Sequence, residues 1–150
     1  MQQKFDIAVN PAFLTYGITC VVLSFNLLLL WVSSGATRAR TKVAINSEDG
    51  ARFGAPVSEA DPPAVARILR AHRNAEATIY PFLLLGLVYI LAGGKAWMAI
   101  PIFAVFTLAR IAHSVFYLRA RQPERTVAFA ISLVAILLLI LAVLLAVLAN

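Results

Sequence analysis

Charged residues are absent from long stretches of the chain. Ile7 to Thr37, Ala77 to Gly94 and Thr126 to Asn150 contain no Asp, Glu, Lys or Arg, and Ala96 to Ala109 is likewise uncharged and runs on past Arg110 to Leu118. A bilayer core of about 30 Å takes roughly 20 mostly apolar helical residues to cross. The pattern therefore predicts an all-α integral membrane protein, a bundle of four transmembrane helices. Continuous apolar runs without alternation at every second residue argue against a β-barrel.

Local signals place the ends of these helices. The first span is expected at about residues 11–34, from Pro11 to a glycine stop at Ser34-Gly35. A loop over about residues 37–61 carries the turn formers Asn46-Ser47, Asp49-Gly50, Gly54 and Pro56. Asp61-Pro62-Pro63 supplies an N-cap and first-turn prolines for a second span over about residues 62–92, which contains Pro81 and opens with polar turns. Gly93-Gly94-Lys95 predicts a tight turn into a third span at about residues 97–118, and Gln122-Pro123-Glu124 starts a fourth at about residues 123–149.

Composition narrows the class further. Of 150 residues, 61% are hydrophobic and 13% charged, against roughly 25% charged in soluble domains. Too little polar chain remains for a separate soluble domain. The first apolar run is longer than the roughly 7–15 residues of a secretory h-region, and Lys4 is followed by Asp6, so it is expected to stay as a helix. Cys20, the only cysteine, has no disulfide partner and reads as packing.

The basic residues are unevenly distributed. Arg38, Arg40, Lys42, Arg52, Arg67, Arg70 and Arg73 belong to the first connection and its continuation, and Arg119, Arg121 and Arg125 to the third, whereas Lys95 alone serves the second. The positive-inside rule then puts the first and third connections in the cytoplasm and both termini on the opposite side of a bacterial inner membrane or endoplasmic reticulum. The net charge of +6 is thereby absorbed as a topology signal, and no nucleic-acid partner is expected.

Chemistry is to be sought where polar residues enter the spans. Arg110, His113, Ser114 and Tyr117 fall on one face of the third helix. A charge within a span costs about 2.5–3.5 kcal/mol, so this stripe either faces protein or a watery cavity, or snorkels to the interface. On the second helix Arg67, Arg70 and Asn74 share a broad face, and Glu76 is within reach of either His72 or Arg73. Arg119, Arg121 and Arg125, with Thr126, close the third connection. Converging at the cytoplasmic rim, these segments would form a cationic pocket suited to an anionic ligand bearing carboxylates, and one that favours the ionised form of a bound thiol or acid. His72 and His113 have no partners at metal-ligand spacing, so no metal site is expected.

Several strings resemble a known family. Arg70-Ala71-His72-Arg73-Asn74 followed by Thr78-Ile79-Tyr80-Pro81-Phe82 is similar to the second-helix signature of the MAPEG family, the membrane-associated proteins in eicosanoid and glutathione metabolism. The likeness extends to Thr37-Arg38-Ala39-Arg40, to Glu48-Asp49-Gly50-Ala51-Arg52 and to the stretch from Arg110 to Leu118, and so covers nearly the whole chain. It implies a homotrimer binding glutathione between subunits near the cytoplasmic side. The implied contacts are Arg38, Arg73, Asn74, His113, Tyr117 and Arg125, with Arg70 and His72 from the neighbouring subunit. By the same resemblance Arg125 holds the thiolate, Thr126 supplies an activating hydroxyl, and Asp49 is an acidic partner of the catalytic arginine.

The chain also departs from that family. Position 77 is Ala where the signature carries Glu, so either the nearby carboxylate Glu76 takes over its role or the amino end of glutathione is held differently, and Phe129 stands where a tyrosine is expected. The expected activity is that of a glutathione-dependent membrane enzyme, with lipid and a lipophilic electrophile as partners. Conjugation, peroxide reduction and endoperoxide isomerisation all start from the same thiolate, so the residues do not choose among transferase, peroxidase and isomerase. A non-catalytic lipid-binding or scaffold protein of the same fold is the alternative; a channel or transporter has less in its favour, for want of inverted repeats or an acidic ring.

Overall fold

A computed structural model describes residues 10–149. The positions Lys4 and Asp6, used above to argue that the first run is retained, lie outside the described residues. Five helices follow one another: α1 (Pro11–Thr41), α2 (Ser47–Phe53), α3 (Pro63–Leu91), α4 (Ala96–Leu118) and α5 (Glu124–Leu148). Four of them, α1, α3, α4 and α5, are long and apolar enough to cross a membrane.

The bundle closes on small and aromatic residues. From α1 come Leu23, Leu27 and Leu30, from α3 Ala71, Ala75, Ile79 and Phe82, from α4 Phe103 and Phe106, and from α5 Ala135, Leu139 and Ala142, all buried. The alanines let helices approach closely, as membrane bundles require when lipid offers no hydrophobic drive to association. Phe82 stacks on Phe106 with ring centres 3.6 Å apart and meets Phe103 edge-on at 5.7 Å. Gly86 makes room on α3: a Cβ there would stand 3.0 Å from the Tyr16 ring and 3.3 Å from Phe103. Tyr16 uses that space to donate its hydroxyl to the Leu83 carbonyl at 3.0 Å. The outward faces carry exposed Leu14, Val21, Leu84, Leu108 and Leu141, the surface expected against acyl chains.

Three local readings are corrected. Helix α1 does not stop at Ser34-Gly35 but continues to Thr41 and ends on Lys42 in the left-handed conformation. Arg38 and Arg40 lie in its last turn, where cations complement the helix dipole, and Arg38 Nη2 is tied to Asp61 Oδ1 at 2.7 Å. Asp61 is consequently no N-cap; Pro62 occupies that position on α3, without a side-chain cap bond. The first connection is also not all loop. Asn46 accepts a hydrogen bond from Asp49 N at 2.8 Å and starts the short α2, which Gly54 closes at φ +59°. A parallel bridge between Ala44 and Val57 ties its two flanks together.

The hairpin between α3 and α4 turns at Gly93 with φ +73°. Gly94 lies directly beneath the Tyr89 ring, where any side chain would collide with it. This connection holds one end of the bundle, and the polar residues gather at the other.

Candidate functional site

The polar stripe of α4 faces protein. Arg110, His113 and Ser114 are buried, Arg110 completely, and Tyr117 is half-buried, which excludes snorkelling for the first three. Arg110 Nη2 donates to Asn74 Oδ1 on α3 at 3.0 Å, and Asn26 Nδ2 on α1 donates to Ser114 Oγ at 3.2 Å. The His113 ring lies 5.6 Å from Tyr117 and 6.1 Å from Phe129 on α5. Arg125 completes the row, its guanidinium carbon 4.5 Å from the centre of the Tyr117 ring.

Gln122 joins Arg125 to Thr126. Oriented so that both neighbours are satisfied, its amide oxygen accepts from Arg125 Nε at 3.1 Å and from Nη2, while its amide nitrogen donates to Thr126 Oγ1 at 2.9 Å. Thr126 thus receives a hydrogen bond, and its own proton remains free to donate. Sequence reasoning missed Gln122 as a contributor, although its i,i+3 and i,i+4 spacing to Arg125 and Thr126 was a usable signal. Asn26, a lone amide in the first apolar run, was missed as well.

The second-helix residues divide. Asn74 joins the buried row, whereas Arg70 and Arg73 are exposed on the outer side of α3. Of the two partners open to Glu76, the structure selects His72: His72 Nδ1 stands 3.4 Å from Glu76 Oε2, and Tyr80 donates its hydroxyl to Glu76 Oε1 at 3.2 Å. Glu76 is therefore engaged along the 72–76–80 row.

Arg38 and Asp49 form a separate group. They line, with Lys42, Gly35 and Phe53, a cavity of about 680 Å³ between the end of α1 and α2. Among the described residues Asp49 is in no ion pair, and Arg125 is not part of this cavity. A single subunit thus brings together Asn74, His113, Tyr117, Arg125 and Thr126, and leaves Asp49, Arg38, Arg70, Arg73, His72 and Glu76 on surfaces outside that row.

The row keeps unpaired guanidinium donors. Arg110 Nε and Nη1 are buried without a partner among the described residues, as is His113 Nδ1, and so is Arg38 Nε in the separate group at the end of α1. Unpaired guanidinium N–H groups in a low-dielectric bundle favour an anion with oxygen acceptors.

Four apolar helices around a cationic, aromatic row at one end define an integral membrane protein with a candidate anion site. The chain belongs to the MAPEG family, which it matches over residues 16–145. It is 38% identical to the prostaglandin E synthase of Homo sapiens over 124 residues, 82% of each chain. It is 41% identical to the prostaglandin E synthase of Equus caballus over 123 residues, 81% of this chain and 78% of the relative. Microsomal glutathione S-transferase 1 of Rattus norvegicus is 34% identical over 134 residues, 86% of this chain and 84% of the relative.

Proposed function

We propose that the protein is a glutathione-dependent membrane enzyme acting on lipophilic electrophiles or peroxides. The name of one relative, microsomal glutathione S-transferase 1, supports glutathione as co-substrate, and the unpaired buried guanidinium donors fit a peptide with two carboxylates. When bound, glutathione supplies a cysteinyl thiol, of ordinary pKa about 8.5, whose ionised form is the nucleophile.

The residues of the chain then have distinct tasks. Arg125 holds a permanent positive charge beside the sulfur position, steadied by the Tyr117 face and by Gln122. Thr126 offers the hydroxyl proton that Gln122 leaves free. Asn74, His113 and Tyr117 hold the peptide from within one subunit, together with Arg38 and Arg73. In a homotrimer Arg70 and His72 reach it from the neighbouring subunit, Asp49 approaches Arg125, and Glu76 serves where Ala77 lacks a carboxylate. The lipophilic partner arrives sideways from the bilayer, between α1 of one subunit and α5 of the next, with the first and third connections in the cytoplasm.

The observation that carries this reading is the Gln122 bridge, which aims one cation and one hydroxyl donor from a single turn of helix. It is tested by heating the detergent-purified protein with and without glutathione and by a conjugation assay with a generic aryl halide. Thermal protection, expected for any ligand of the native state, together with turnover supports it. Protection without turnover indicates the scaffold reading, and the absence of both protection and turnover refutes glutathione dependence.

A further inference from the structure

On the outer side of the bundle α4 and α5 leave an apolar groove between them. Its first part, a cavity of about 550 Å³, runs from Phe116 to Val105 and Ile131, and a second cavity of about 460 Å³ takes over at those two residues and reaches Pro101. Together they follow about four turns of α4, roughly 22 Å, long enough for an extended acyl chain. Ala109 and Ala128 are buried and give the groove its depth, whereas Val105 and Ile131 at its rims are exposed. None of the lining residues belongs to the row of Asn74, His113, Tyr117, Arg125 and Thr126.

One charged side chain, Glu124, lines the groove, at the end nearest the third connection. Its Oε1 lies 3.3 Å from Arg121 Nε, while its Oε2 is buried and has no donor among the described residues. A buried charged acceptor left unsatisfied is costly, so an occupant of the groove gains by bringing a donor to it. Arg121 is exposed and, paired through Nε, still has guanidinium N–H groups to offer. An acceptor and a cation thus stand side by side where the apolar groove meets the membrane surface. The lipid headgroup that complements both is an ammonium joined to a phosphate. A trimethylammonium group has no N–H to give Oε2, and a glycerol headgroup has hydroxyls but no cation.

We infer that the α4–α5 groove binds phosphatidylethanolamine, with an acyl chain along the groove, the ammonium donating to Glu124 and the phosphate on Arg121. The inference is independent of the glutathione reading. It bears on the same turn, however, because Glu124 stands between Gln122 and Arg125 in sequence, and a headgroup held there steadies the residues on either side.

The experiment is native mass spectrometry of the full-length protein in detergent, with phosphatidylethanolamine, phosphatidylcholine and phosphatidylglycerol of identical acyl chains added in turn. Wild type is expected to retain the ethanolamine lipid about fivefold or more over the choline lipid, the scale of a charged hydrogen bond at a partly exposed site, and to melt higher with it. Glu124→Gln removes the charge and is expected to retain the two alike. Ala130 is exposed and lines the second cavity, so Ala130→Phe fills the groove from outside and is expected to weaken retention of both lipids equally.

Equal retention of the ethanolamine and choline lipids by wild type overturns the inference, as does a preference that persists in Glu124→Gln. Preference for the glycerol lipid overturns it too, by leaving the arginines as the sole recognition element. Retention of no lipid also overturns it, and an oligomer that dissociates in Ala130→Phe would then give the groove to a second copy of the chain. Should Ala130→Phe not fold, the comparison of wild type with Glu124→Gln decides alone.

Discussion

The guanidinium carbon of Arg125 lies 4.5 Å from the centre of the Tyr117 ring, so the α4 aromatic face supports the cation that α5 carries. Both groups are half-buried, and at such sites a cation–π contact is worth about 0.5–1 kcal/mol. The contact costs little to lose but determines where the charge sits.

Tyr117→Phe keeps the ring and removes the hydroxyl. It is expected to leave kcat nearly unchanged and to raise KM for glutathione. Tyr117→Leu removes the supporting face too, and kcat is expected to fall by roughly two- to fivefold, the equivalent of the contact energy above. Steady-state kinetics of the pair check this; equal kcat in Tyr117→Leu and wild type would show that the ring does not position Arg125.

Gln122→Glu changes one atom of the bridge between Arg125 and Thr126. Its carboxylate would offset the Arg125 charge and draw the Thr126 proton toward itself, so both donors proposed to act on the sulfur are weakened. A fall in kcat of about tenfold or more is expected, the scale of one charged hydrogen bond, with glutathione affinity held within a few-fold. Gln122→Met, which releases Arg125 without neutralising it, should be the milder variant.

The four spans were legible because lipid leaves one solution for a long uncharged run. The end of α1 was not. Gly35 read as a stop, yet it has nothing within 4 Å of a would-be Cβ, and the helix is carried onward by the tertiary Arg38–Asp61 pair. The same pair explains why Asp61 is no cap. The α4 stripe was legible by period, but whether it faced protein was decided only by Asn74 and Asn26, contributed by α3 and α1. Gln122 escaped notice because an exposed glutamine has no signature until its two neighbours are assigned roles.

Gly86 and Gly35 should behave oppositely. Gly86→Val forces branched atoms into the Tyr16 and Phe103 rings and is expected to cost about 1–3 kcal/mol, a fall of several degrees in Tm. Gly35→Ala meets no neighbour and removes backbone freedom within α1, with an expected gain of about 0.5–1 kcal/mol. Thermal melts in one detergent check both signs; a stabilised Gly86→Val would contradict the close approach of α1, α3 and α4.

The Arg38–Asp61 pair is partly exposed on both sides, so its removal should matter more locally than globally. Asp61→Asn is expected to lower Tm by an amount worth less than about 1 kcal/mol, while hydrogen exchange quickens over residues 37–41, the turn the pair anchors. Unchanged protection there would mean that α1 holds its last turn without Asp61.

The stabilisation of the glutathione thiolate proposed for Arg125 is read out by the ultraviolet difference spectrum on adding glutathione to the purified protein at neutral pH. Wild type should show thiolate absorbance that saturates with glutathione, and Arg125→Ala, still folded by its melt and at saturating glutathione, should show none. A band of equal size in Arg125→Ala, or no band in wild type that demonstrably binds glutathione, would contradict the claim.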